Sequence, residues 1–136
     1  MLNRLTDSLN FQTQALTLRA ERQRLLASNI ANADTPGYVA RDMDFARALR
    51  EATGQAAAVA PAATQAGHVQ VAGGARAEAQ LLYTRPAQSN LDGNSVDMDR
   101  ERAAFADNTV KYEATLRFIN AQVRTMLDAM KSHNQA

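Results

Sequence analysis

The 136-residue chain is 46% hydrophobic and 21% charged, with a formal net charge of +1; this fits one domain or assembly unit and excludes wholly disordered or membrane-spanning classes. Its arginines are scattered rather than clustered, which argues against nucleic acid as a partner, and the lack of cysteine excludes disulfides, thiol catalysis and cysteine metal sites. No apolar run reaches the roughly 18 residues of a membrane span, and Met1–Asp7 lacks a secretory apolar core, so any export is expected without a cleaved signal.

From Leu2 to Ala33 a three-four spacing selects Leu2, Leu5, Leu9, Gln12, Leu16, Arg19, Gln23, Leu26, Ile30 and Ala33. The pattern predicts one amphipathic helix of about 45 to 50 Å. Gln12, Arg19 and Gln23 interrupt its apolar seam. They are read in two ways: as polar residues that set register, or as a solvated fault in a surface helix.

The helix must stop at Thr35-Pro36-Gly37-Tyr38, because Pro36 lacks a backbone donor and biases Thr35 out of the helical region. Pro then Gly suits the central positions of a type II turn. Beyond it, Asp42 or Asp44 can cap a short helix that carries Phe45 and Leu49 on one face and ends before Gly54.

Residues 53–80 are rich in Ala, Gly and Gln and show no sustained period, so this middle is expected to be irregular or extended. Two alternating patches, His68–Val71 and Gln80–Tyr83, are expected to pair as a small β-ribbon across Gly73-Gly74. The helical signal returns at Val96 or Asp97. There a four-three spacing selects Met98, Arg102, Phe105, Thr109, Tyr112, Leu116, Ile119, Val123, Met126 and Met130, predicting a second helix of about 50 Å.

Candidates for chemistry are few. His68 and His133 have no partners spaced for a metal site or a nucleophile relay. The stretch Asn90–Glu101 echoes a calcium loop, but it begins with Asn, carries its glycine at the fourth position and follows no long helix. An Asx-rich turn feeding an acidic helix start is the better reading. No cofactor is implied.

The fold class expected is therefore mainly α: long terminal helices folded back as a hairpin, a short helix, and an irregular or weakly β middle. The chain divides into residues 1–34, 35–95 and 96–136. A two-helix hairpin leaves wide apolar flanks, so neighbouring copies or partners should complete the core. The seam residues for such assembly are Leu5, Leu9, Leu16, Leu26, Ile30, Phe105, Tyr112, Leu116, Ile119, Val123 and Met126.

The run Ser28–Tyr38 resembles the signature of bacterial flagellar rod and hook proteins, in which a helical N-terminus enters Ala-Asn-x-x-Thr-Pro-Gly-Tyr. Ala31, Asn32, Thr35, Pro36, Gly37 and Tyr38 fill its six fixed positions. The short length, Arg41–Phe45 and Leu91–Glu101 are similar to the proximal-rod members of that family; residues 53–80 are unmatched. The resemblance implies a non-enzymatic subunit of the flagellar basal-body rod, located in the periplasm, connecting the membrane ring to the distal rod and transmitting torque for motility. It implies terminal helices paired in a coiled-coil-like inner layer. Implied partners are copies of itself, other rod proteins, the membrane-ring protein, the adapter FliE, the rod-cap protein and the flagellar type III export apparatus, for which Phe45 and Leu49 fit an aromatic-x-x-x-hydrophobic recognition pattern. The competing reading is a small helical-hairpin export chaperone or adapter, which would share the helices but has no need of the turn signature. A peptidoglycan-cleaving enzyme is disfavoured, since no carboxylate pair sits on a convincing local scaffold.

Overall fold

The structure is a computed structural model that describes residues 2–54, 81–83 and 91–133. Its elements in chain order are helix α1 (Leu2–Ala31), strand β1 (Arg41–Met43), helix α2 (Phe45–Ala52), strand β2 (Leu81–Tyr83) and helix α3 (Met98–His133). The mainly helical architecture with two long terminal helices is the one expected. Neither long helix contains Gly or Pro, and at about 1.5 Å per residue they run roughly 45 and 54 Å. They lie antiparallel. Gln122 Nε2 donates to Ser8 Oγ at 2.8 Å near one end, and Asn29 Nδ2 donates to Glu101 Oε2 at 3.0 Å near the other.

On α3 the buried side chains Glu101, Asn108 and Thr115 recur every seven residues, and half-buried Gln122 continues the line. Half-buried Phe105, Tyr112, Ile119 and Met126 interleave with them. This is the 3.5-residue repeat of a helix pair. The predicted stripe shares the second set but differs in the first, where it selected Arg102, Thr109, Leu116 and Val123. The observed seam is turned by one residue, leaving Leu116 and Val123 each 41% exposed. The physical reason is hydrogen bonding: Asn108 Nδ2 donates to Arg19 O at 2.9 Å and to Gln23 Oε1 at 2.6 Å, while Gln23 Nε2 donates to Thr109 Oγ1 at 2.8 Å. Of the two readings of the polar interruptions in α1, Gln23 follows the first, as a partnered seam residue.

On α1, Ala15, Leu18 and Leu26 are buried, Leu9, Leu16 and Ile30 are half-buried, and Leu5 is exposed. The remaining buried apolar side chains, Ala40, Met43 and Ala48, lie in or beside β1 and α2, both of which contact α1. Helix α2 begins as predicted. Asp44 Oδ1 accepts from Arg47 N at 3.1 Å, and the helix ends ahead of Gly54. Phe45 and Leu49 are both half-buried on the face that flanks buried Ala48.

Leu81–Tyr83 is a strand, and its antiparallel partner among the described residues is β1, a pairing the sequence did not indicate, with Arg41 opposite Tyr83, Asp42 opposite Leu82 and Met43 opposite Leu81. Residues 41–43 are extended because Asn29 occupies both backbone groups of Arg41, donating to its carbonyl at 2.7 Å and accepting from its N–H at 3.0 Å. His68–Val71 and the rest of the predicted irregular stretch after Gly54 up to Gln80 lie outside the described residues.

Candidate assembly junction

The six signature residues meet at the end of α1. Asn32 donates through Nδ2 to Ser28 O at 2.8 Å and accepts through Oδ1 from Thr35 Oγ1 at 3.1 Å, which closes the last helical turn. Tyr38 N then donates to Thr35 O at 3.2 Å, and Gly37 takes φ +72°. Positive φ at the third residue is what a type II turn requires, so the predicted geometry is present. Ala31, Thr35, Pro36 and Gly37 are exposed, whereas Tyr38 folds back so that its hydroxyl reaches Ser28 Oγ at 3.1 Å and Asn29 Oδ1 at 3.2 Å.

A loop from the far end of the sequence clasps this turn. The Gly37 N–H donates to Asp92 O at 2.8 Å, Ser95 N donates to Tyr38 O at 3.0 Å, and Ala40 N donates to Ser95 Oγ at 2.8 Å. Asn94, 2% exposed, aims its amide nitrogen at the carbonyls of Asn32, Ala33 and Thr35, at 3.0, 2.8 and 2.8 Å. Carbonyls beyond a helix C-terminus have no intrahelical donor, and here a side-chain amide supplies one. Asn94 Oδ1 accepts from Val96 N at 2.8 Å, and Asp97 then caps α3 by accepting from Asp99 N and Arg100 N, both at 3.2 Å. One short loop thus ends α1 and starts α3.

The calcium-loop echo resolves into this clasp. Asp92 Oδ1 accepts from Asn94 N at 3.1 Å, an Asx turn, and the Glu101 carboxylate is buried against Asn29. Among the described residues, no three His, Asp or Glu side chains gather as a metal ion would need. Below the junction, Arg22 grips Asp42 through two hydrogen bonds of 3.0 Å each, and that contact raises the guanidinium above its usual range. Arg19 is shifted down, chiefly by burial and next by Arg22, and its guanidinium carbon sits 4.2 Å from the Phe45 ring centre. A cation over an aromatic face contributes about 0.5–2 kcal/mol. These groups hold backbone and helices in place.

Sequence reasoning located the turn and missed the side chains that secure it. Asn29, Asn94 and Ser95 carry no periodic signal, since each acts on backbone far away in sequence. The one clue was compositional: Asp92-Gly93-Asn94-Ser95 is dense in residues that bond locally to backbone.

Comparison with known proteins gives a consistent result. The family model described as flagella basal body rod protein matches residues 9–38, the stretch that runs through α1 into the turn and ends on Tyr38. The flagellar basal body rod protein FlgB of Proteus mirabilis strain HI4320 is 48% identical over 136 residues, covering 96% of this chain and 98% of the relative. FlgB of Salmonella typhimurium is 48% identical over 141 residues, covering 98% of this chain and all of the relative (100%). FlgB of Escherichia coli K12 is 46% identical over 141 residues, with the same coverage of 98% and 100%.

Proposed function

The chain belongs to the FlgB family of flagellar basal body rod proteins and is a structural subunit of that rod, and we propose that it builds the rod through an apolar ridge that its own fold leaves uncovered. That ridge is the observation that carries the reading. Leu116, Val123, Leu127 and Met130 fall on one side of α3 and are 41%, 41%, 50% and 61% exposed. Soluble monomers seldom leave contiguous apolar surface uncovered beyond a few hundred Å². A neighbouring subunit covers it in this reading. Contacts between different surfaces on successive copies propagate instead of closing, which is what a tubular shaft needs.

In the same reading residues 1–34 and 96–136 are the assembly helices, and residues 35–95 are the segment between them, which begins and ends at the junction. The neighbours are copies of this chain, other rod proteins, the membrane-ring protein, the adapter FliE and the rod-cap protein. The subunit stands in the periplasmic part of the basal body, reached through the flagellar export apparatus without a cleaved signal. Phe45 and Leu49 serve that apparatus in the unfolded chain and become half-buried residues of α2 afterwards. The subunit passes torque through many small interfaces and performs no catalysis. The competing chaperone or adapter reading has no support from the relatives, which are rod proteins.

Leu116→Asp tests the proposal, because Leu116 lies outside the α1–α3 seam. In a motile host whose own copy is replaced, the expected result is wild-type helix content in the purified chain and loss of both basal-body incorporation and swimming. Unchanged motility would overturn the ridge as an assembly surface.

A further inference from the structure

We infer that Glu101, Asn108 and Gln122, on the polar line that Thr115 continues with a hydrogen bond to its own helix, act as a register selector, which fixes the alignment of α3 on α1 and thereby decides which face of α3 is left for neighbours. Helix α3 turns this polar line towards α1 while Leu116, Val123, Leu127 and Met130 remain exposed. Apolar burial alone would favour the opposite orientation, so something directional holds the observed one.

That something is a set of matched side-chain bonds at one constant offset along the antiparallel pair. Ser8 meets Gln122, Gln23 meets Asn108 and Thr109, and Asn29 meets Glu101. A slip of α3 by one heptad, with Met126 brought to Gln12, sets Tyr112 by Leu26 and Ile119 by Arg19, so the half-buried set meets a mix of apolar and polar partners much as it does in the observed alignment. It breaks the three observed polar layers together, leaving Gln122 beside Leu16 and Thr115 in place of Asn108 beside Gln23. A single polar seam residue is enough to specify register in coiled coils, at some cost in stability; here the specification is repeated along the helix.

The cost is visible too. Asn108 Oδ1 and Gln122 Oε1 are buried without a hydrogen-bond partner, so both amides are only half satisfied. A partly satisfied buried amide is a poor source of stability compared with a well-packed aliphatic residue. Its value lies in excluding wrong alignments. Slippage, or pairing of α3 with α3 of another copy, would bury the ridge or misplace it. The register claim stands on the hairpin alone; only its consequence for the ridge rests on the rod-subunit reading.

The test uses the full chain, whose lack of cysteine removes background. The offset of the observed bonds puts Gln12 opposite Ile119, so Gln12→Cys/Ile119→Cys reports the native register and Gln12→Cys/Met126→Cys a one-heptad slip. Disulfide trapping in glutathione buffer compares their yields, whatever fraction of the chain is helical. In the otherwise natural chain the native reporter should exceed the slipped one by about tenfold or more. With Asn108→Leu and Gln122→Leu added, the two yields should come within about threefold, with helix content by circular dichroism equal or higher. A native preference that persists undiminished in the leucine background overturns the inference. The exchange Gln23→Asn/Asn108→Gln, which keeps an amide on each helix, should retain the preference, and its loss there would also overturn it. Swimming assays play no part, so failure of the rod-subunit reading is read separately.

Discussion

Replacing Asn94 by alanine should loosen the junction while leaving both long helices their own hydrogen bonds. The side chain is buried, its two amide hydrogens serve the carbonyls of Asn32, Ala33 and Thr35, and its Oδ1 takes the Val96 N–H. Each net hydrogen bond is worth about 1 kcal/mol, and a buried partner left unmade costs about 1–3 kcal/mol. Of the three carbonyl-bearing residues, Thr35 is exposed and Asn32 and Ala33 are half-buried, so water recovers part of the loss on the carbonyl side. The resulting estimate is about 2–4 kcal/mol. Against a total of about 5–15 kcal/mol for an ordinary domain, that is a large fraction. Two assays read it. Urea unfolding followed by far-ultraviolet circular dichroism should show a lower midpoint at unchanged slope. Amide exchange at Gly37 and Ser95, whose N–H groups cross the clasp, should accelerate by about 30- to several hundred-fold. A midpoint loss worth less than about 0.5 kcal/mol, or exchange accelerated elsewhere but not at these amides, would refute Asn94 as the clasp.

Two further outcomes follow from local geometry. Gly37→Ala should cost about 1–2 kcal/mol in the same urea assay, since a Cβ there meets nothing within 4 Å and only the φ of +72° opposes it; Gly37→Asn should cost less, and a neutral alanine variant would show that the turn relaxes. The Asp107 carboxyl is held below its usual range, chiefly by its hydrogen bond from Lys111, whose Nζ is 2.8 Å from Oδ2. A carboxyl with a depressed folded-state value supports the fold above its unfolded value and loses that support as pH falls through the folded one. Helix content titrated from about pH 6 to about pH 2 should therefore decline less steeply in Asp107→Asn than in the natural chain, and superimposable titrations would contradict the pairing.

What could be read from sequence divides by the range of the interaction. Helices α1 and α3, the stop before Pro36 and the start near Asp97 all depend on neighbours within a few residues, and all were legible; the cap of α2 was narrowed to Asp42 or Asp44, and Asp44 fills it. The β1–β2 pair was not legible. Arg41-Asp42-Met43 sits between a turn and a helix cap with no alternation of its own, and its extended form depends on Asn29, twelve positions before Arg41. The face of α3 was misjudged by one residue for a related reason. Two three-four lines run along that helix, one through Leu116 and Val123 and one through Asn108 and Thr115, and hydrophobicity ranks the first higher. Partnered amides reverse the ranking, and partnership across 85 positions, as between Gln23 and Asn108, leaves no trace in a local window. Tyr38 lies between these cases: its place in the turn was legible, but its hydroxyl contact with buried Asn29 was not.

A density map of the isolated basal body with this chain traced bears most directly on the claim that the subunit builds the rod through a ridge its own fold leaves bare. The prediction is an antiparallel α1–α3 pair with Leu116, Val123, Leu127 and Met130 packed against a neighbouring subunit. Tracing that leaves those four side chains in solvent, or density for this chain absent from the rod, would contradict it.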